Sequence, residues 1–114
     1  GLYIYNDKND SFIQKIDNKL VPFDTHPNYC NKNNKIICDS YPDNSLRQNL
    51  FTIDLDGMVK ENIAILKYNK KFISDNIHNN IRCDLHPRWN RAGTKICIDT
   101  TFLGNRSLMI ITNE

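Results

Sequence analysis

The sequence lacks the features that mark several large classes of protein. Its 114 residues include four cysteines with no CxxC pair, and only four glycines. Without CxxC spacing a structural zinc site has little support, and without a glycine-rich loop there is no cradle for a phosphate. A GxSxG motif is also missing. Phosphate-cradling loops and serine nucleophiles therefore have no motif here to support them.

The sequence also lacks a large excess of either positive or negative charge. Fifteen basic and 13 acidic residues give a formal net charge of +2, and they are interspersed along the chain. A nucleic-acid-binding surface usually needs a basic stripe, and a membrane span needs about eighteen apolar residues in a row. We therefore expect neither nucleic acid nor membrane as a partner. The absence of a signal-like start favours the cytoplasm, or the periplasm if an upstream signal has been removed.

The sequence does contain a repeat. Residues 24–40, DTHPNYCNKNNKIICDS, align without a gap on residues 84–100, DLHPRWNRAGTKICIDT, at a constant offset of 60 positions. Both copies keep His-Pro, an aromatic residue, Lys-Ile and an aspartate. The cysteines Cys38 and Cys97 align with isoleucines of the other copy, which predicts free thiols rather than disulfides. Such regular similarity indicates a structural repeat.

The repeat consists of strand-like segments. No run of ten residues has a clean helical stripe, whereas segments rich in isoleucine, threonine and aromatic residues alternate with polar turns. We predict strands over 2–5, 11–16, 35–40, 49–55, 61–68, 94–100 and 107–112, and a short strand after each His-Pro. Each unit is then a four-stranded antiparallel meander, the form of a β-propeller blade. The predicted fold is an all-β partial propeller in one domain, with blade parts over 1–20, 24–68 and 84–114.

The turn after each His-Pro strand has four residues, and this length predicts the pairing. If the strands pair symmetrically about the turn, His26 faces Asp39 and His86 faces Asp99. We interpret both as structural hydrogen-bonded pairs, because they recur in both copies and a catalytic group is usually needed only once.

In a propeller the loops before the first strand and after the second strand of each blade emerge on one face. We expect that face to carry His26, His86 and further ligand-binding candidates. The candidates are His78, Arg82, Asp84, Arg47 and Arg106.

The run HPRWNRAGTKICIDTTFLGNRSLMIIT resembles the WD40-like repeat of TolB-type propellers, whose blades read His-Pro-x-Trp-Ser-Pro-Asp-Gly before the second strand. The longer run IRCDLHPRWNRAGTKICIDTTFLGNRSLMI is similar to propellers of the oligogalacturonate lyase type. Two to three blades are covered, and the usual turn is replaced by NRAG and CNKNN. Because lyase-type relatives place metal-binding histidines at such His-Pro strand starts, the resemblance singles out His86 and His26 for a divalent, manganese-type metal. On this hypothesis His86, with Asp84, His78 or His26, either binds the ion or serves as a base, and the remaining ligands are not found in this chain.

Two functions remain open at this point. The first is a non-catalytic propeller module for binding or assembly, the terminal part of a larger protein of polysaccharide metabolism. Its partners would be other copies of itself, the missing blades of a parent protein, or an acidic glycan. The alternative is part of a metal-assisted polysaccharide lyase, in which a cation offsets the uronate carboxylate so that a base can remove the C5 proton.

Overall fold

A computed structural model describes residues 1–73 and 82–112, and in them the chain is all-β, as predicted. The only helical segment in these ranges is one short 3₁₀ turn, Lys70–Phe72. The strands are β1 (Tyr3–Asn6), β2 (Ser11–Lys15), β3 (Asn28–Cys30), β4 (Lys35–Asp39), β5 (Arg47–Asp54), β6 (Val59–Lys67), β7 (Arg88–Trp89), β8 (Lys95–Thr100) and β9 (Ser107–Thr112).

The strands form three antiparallel sheets. Sheet 1 is β1-β2, sheet 2 is β3-β4-β5-β6 and sheet 3 is β7-β8-β9. Sheet 2 is the four-stranded meander predicted for one copy of the repeat. Sheet 3 contains the corresponding first three strands of the second copy. The order of strands in each sheet follows the chain, because short polar turns join neighbours.

The register of the two copies is the same and agrees with the length of the turns. Tyr29 pairs with Ile36 in sheet 2, and Trp89 pairs with Ile96 in sheet 3. Each four-residue turn needs a left-handed residue, which is Asn34 (φ 50°) in the first copy and Gly93 (φ 71°) in the second. Asparagine and glycine are the residues that tolerate this conformation best.

Two apolar layers hold the sheets together, and β4 contributes to both. Ile36 and Cys38 pack with Phe51 and other residues between sheets 1 and 2. Ile37, the residue between them in the strand, packs on the other side between sheets 2 and 3. Successive side chains of a strand point to opposite faces, so an unbroken apolar run fits a sheet covered on both sides. Burying one such side chain contributes roughly 1.5–3 kcal/mol.

Sheets 2 and 3 are also joined by hydrogen bonds between the two copies, one between their first strands and one between the turns that follow. The backbone N–H of Trp89 donates to Asn28 Oδ1 at 2.9 Å, and Asn33 Nδ2 donates to the carbonyl of Gly93 at 3.0 Å. Trp89 packs against the apolar layer, whereas its counterpart Tyr29 is half exposed. These hydrogen bonds place β3 beside β7. The residues that precede the two strands are therefore also close together.

The four cysteines are all free, as the repeat predicts. Cys97 is partly exposed, and the other three are buried. In the described ranges, no helix has the length and apolar character needed to cross a membrane.

Candidate metal centre

His26 and His86 meet at one edge of sheets 2 and 3. Their imidazole rings are 4.3 Å apart between centroids and are tilted by 68°. Each histidine lies two residues before a first strand of the repeat, and those two strands are tied side by side. Asp84 lies next to both: one ligand atom from each of the three residues falls within 4.8 Å of the others.

Asp39, at the end of β4, is the carboxylate beneath the two histidines. His26 Nδ1 lies 3.0 Å from Asp39 Oδ2, and the backbone N–H of His26 donates to Asp39 Oδ1 at 2.8 Å. The backbone N–H of His86 donates to Asp39 Oδ2 at 3.1 Å. Asp39 is only 1% exposed. A buried carboxylate is expensive unless its oxygens receive hydrogen bonds, and here both copies of the repeat supply them.

The second His–Asp pair is looser. His86 Nδ1 lies 3.7 Å from Asp99 Oδ2, and the Asp99 side chain is 34% exposed. Arg88 donates to both oxygens of Asp99, at 3.1 and 3.3 Å. This hydrogen bonding to Asp99 is the main cause that raises the pKa of Arg88 above its usual value. The first copy has Asn28 in place of Arg88, so the two aspartates have different partners.

His86 has an unusual backbone conformation. Its φ is +41°, in the left-handed region that residues other than glycine seldom adopt, and Pro87 follows it. Its N–H is held by Asp39, and its carbonyl accepts a hydrogen bond from Arg88 Nη1 at 2.9 Å. Backbone strain of this kind persists where the surroundings fix it, and it is frequent at functional sites.

Asp84 is the acidic member of the group. It is 8% exposed, and its Oδ1 lies 3.2 Å from Arg82 Nε. At that distance the two groups form an ion pair, but their orientation does not meet the geometry of a hydrogen bond, and within the described ranges Oδ1 receives none. A buried carboxylate oxygen without a hydrogen-bond donor is uncommon, and here its charge is offset by the Arg82 guanidinium, to which a bound cation would add.

A cleft of about 300 Å³ is lined by two of the three ligands, Asp84 and His86. Arg82 and Arg106 line it together with Asp84, His86 and Asp99. Arg106 Nη2 donates to the carbonyl of Arg82 at 2.8 Å, and the Arg82 guanidinium lies 4.8 Å from the centre of the Tyr41 ring. The cleft therefore has guanidinium groups beside the carboxylates.

Cys83 also lines this cleft, and burial is the main cause that raises the pKa of its thiol. Metals bind the thiolate form of cysteine. A thiol that stays protonated at neutral pH makes Cys83 a weaker candidate ligand than the neighbouring Asp84 and His86.

The remaining candidates lie elsewhere. Arg47 forms an ion pair with Asp43, with 3.0 Å between Nε and Oδ2, and does not line the cleft. The pKa of Asp43 is lowered, mainly by a hydrogen bond from the backbone N–H of Arg47. His78 lies outside the described residues.

Two contributors were missed by the sequence analysis. The Thr25 hydroxyl donates to the carbonyl of Asp39 at 2.6 Å, and the Tyr41 ring meets His26 edge-on at 5.7 Å. Thr25 directly precedes His26 and Tyr41 follows β4, so their closeness to the predicted pair was the available signal.

Comparisons with protein-family models, with curated proteins and with solved structures gave no match to this chain. Two imidazoles and one carboxylate form a ligand set suited to divalent transition-metal ions. Three protein ligands leave coordination positions open, as in metal sites that also bind a substrate or other ligand.

Proposed function

We propose that this chain is a ligand-binding module, part of a larger β-propeller, and that it holds a divalent metal ion with His26, Asp84 and His86. The observation that carries the proposal is the convergence of these three side chains, with ligand atoms within 4.8 Å of one another. The repeated sheets position the site, because each copy contributes one histidine from the same place, two residues before its first strand.

The spacing and the environment of the three residues suit such an ion. Ligand atoms that bind one ion at about 2.1 Å lie about 3 to 4 Å apart, and the ligand atoms of these three residues, within 4.8 Å of one another, are close to that spacing. Asp84, whose buried Oδ1 has an ion pair with Arg82 but no hydrogen bond, would gain a second positive partner. Manganese, iron and zinc all accept histidine and carboxylate ligands, and the donor set does not select one of them.

The ligand we propose is an acidic glycan. A uronate unit has a carboxylate, which an open coordination position of the metal can bind, and the adjoining cleft carries the guanidinium groups of Arg82 and Arg106. Planar guanidinium groups are well suited to carboxylates. The cleft can hold a small part of a polymer rather than a long segment, which fits a module that recognises one acidic unit.

A second candidate is that the same site belongs to a polysaccharide lyase. One observation favours it: His86 is half exposed beside the cleft, so in this alternative His26 and Asp84 would hold the ion and His86 would be left to take the proton. A bound divalent ion would supply neutralisation of the uronate carboxylate, which acidifies the neighbouring C5 proton.

Metal binding is tested first. We expect the 114-residue chain to bind Mn²⁺ in calorimetric titration and Asp84→Asn to bind it at least about tenfold more weakly, because one charged ligand is lost. Asp43→Asn is the matched control, since Asp43 is an aspartate paired with an arginine outside the cleft, and it should bind like the wild type. A wild-type chain that binds no Mn²⁺, or equal affinities for the two variants, would refute the site.

The two functions are then separated with oligogalacturonate. A binding module retains the glycan in the presence of Mn²⁺ without changing it. A lyase releases unsaturated uronides, which absorb in the ultraviolet. Product formation by the parent protein that is lost in His86→Gln would replace the binding proposal by the lyase alternative.

A further inference from the structure

Asp39 and Asp99 occupy the same position in the two copies of the repeat, but only Asp39 contacts both histidines. Asp39 is buried between sheets 2 and 3, whereas Asp99 is partly exposed and bound to Arg88. The repeat alone would give each aspartate one histidine. The difference between the two copies therefore suggests a separate role for Asp39.

The hydrogen bonds of Asp39 fix both the orientation and the protonation of His26. Its oxygens lie 3.1 and 3.0 Å from His26 Nδ1, and the His26 backbone N–H and the Thr25 hydroxyl also approach Oδ1, at 2.8 and 3.3 Å. An ionised carboxylate can only accept hydrogen bonds, so the proton of a neutral imidazole is held on Nδ1. The lone pair on Nε2 is then left available for a metal.

The same carboxylate also fixes His86, through its backbone. Asp39 Oδ2 accepts the N–H of His86, the residue with φ +41°. This bond joins the segment just before β7 to the end of β4, so it holds the left-handed His86 in place. Displacing His86 would separate its imidazole from that of His26.

We propose that Asp39 is a positioning residue: it sets the tautomer of His26 and the location of His86, so that the two imidazoles present their nitrogens to one metal ion. The inference builds on the proposed metal-binding function. Asp99 cannot take the same role, because its oxygens are engaged by Arg88 and its distance to His86 Nδ1 is longer.

The first test needs no metal. Nitrogen NMR of the histidine side chains in the wild-type chain, at a pH where both imidazoles are neutral, reports which nitrogen carries the proton. We expect His26 to carry it on Nδ1, whereas free histidine favours Nε2. A His26 protonated mainly on Nε2 would overturn the proposal, and this measurement remains decisive even if variants of Asp39 do not fold.

The second test compares matched variants of the two copies. Asp39→Asn should weaken Mn²⁺ binding by about 10- to 100-fold, the usual effect of losing a carboxylate that orients a ligand histidine, and should lower the Nδ1–H population of His26. Asp99→Asn should stay within about threefold of the wild type.

Equal Mn²⁺ affinities for Asp39→Asn and Asp99→Asn would refute the positioning role and leave the metal site in place. Failure of the wild type to bind Mn²⁺ would refute the metal site itself, so the two failures can be told apart.

Discussion

The contact between the four-residue turns of the two copies can be tested at Gly93. A β-carbon added there would lie 2.7 Å from Cys30 Sγ and 3.0 Å from Asn33 Nδ2, atoms of the first copy of the repeat. Cys30 is buried, so its sulfur has little room to move away. Gly93→Ala therefore forces the two turns apart at the point where sheets 2 and 3 are tied.

The expected loss has two parts. A left-handed φ of +71° costs alanine roughly 1–2 kcal/mol, and overpacking of this kind typically costs about 1–3 kcal/mol more. Gly104→Ala separates the parts, because Gly104 also has a positive φ (+86°) but its nearest neighbour would be 3.7 Å from the new carbon. We expect Gly104→Ala to show the first cost alone.

Urea unfolding of the two variants and the wild type measures both terms. The free energy of unfolding should fall by about 2–5 kcal/mol in Gly93→Ala. In Gly104→Ala the fall should be smaller by about 1–3 kcal/mol, which is the cost of overpacking. Equal losses in the two variants would show that the turns do not touch. The packing that brings His26 next to His86 would then be wrong, and the metal site with it.

Two further predictions concern stability. Leu85→Ala removes a fully buried side chain from the layer between sheets 2 and 3 and should lower the free energy of unfolding by about 2–5 kcal/mol, measured in urea; a loss below about 1 kcal/mol would contradict the burial. Cys38 has its pKa raised from 9.0 to about 11, mainly by burial, so the native thiol keeps a proton that the unfolded thiol loses. Below pH 9 the thiol therefore has no effect on the pH dependence of stability. Between about pH 9 and 11 the free energy of unfolding should fall by roughly 2–3 kcal/mol, because the unfolded thiol loses its proton first. Cys38→Ala should lack this part of the decline, and an identical pH dependence in both proteins would refute the shift.

Much of the fold could be predicted because its signals are local. A four-residue turn between β7 and β8 fixes the pairing of Trp89 with Ile96, and the alternation of side chains in a strand fixes which residues share a face. Tyr29 shows where this reasoning fails. It matches Trp89 in the repeat but is half exposed, because its burial depends on which sheet lies next to it.

The candidate site was predictable only in part. The recurrence of His-Pro identifies His26 and His86, and the placement of loops on one propeller face makes Asp84 a candidate. The distance between the two rings could not be derived, since it depends on Asn28 and Asn33 binding the second copy. The position of its loop alone predicts Arg47 on the ligand-binding face. In the structure its guanidinium instead forms an ion pair with Asp43, four residues earlier in the chain.

The sequence by itself determined the all-β class, the repeat of 60 positions, the register of each first hairpin and the pairing of each histidine with an aspartate across it. These follow from turn length and from the two-residue period of a strand. Only the tertiary structure decided that Asp39 contacts both histidines and that Asp99 accepts hydrogen bonds from Arg88. Equivalent positions in a repeat have the same local geometry, but the packing of one sheet on the next decides which carboxylate is buried and which donors reach it.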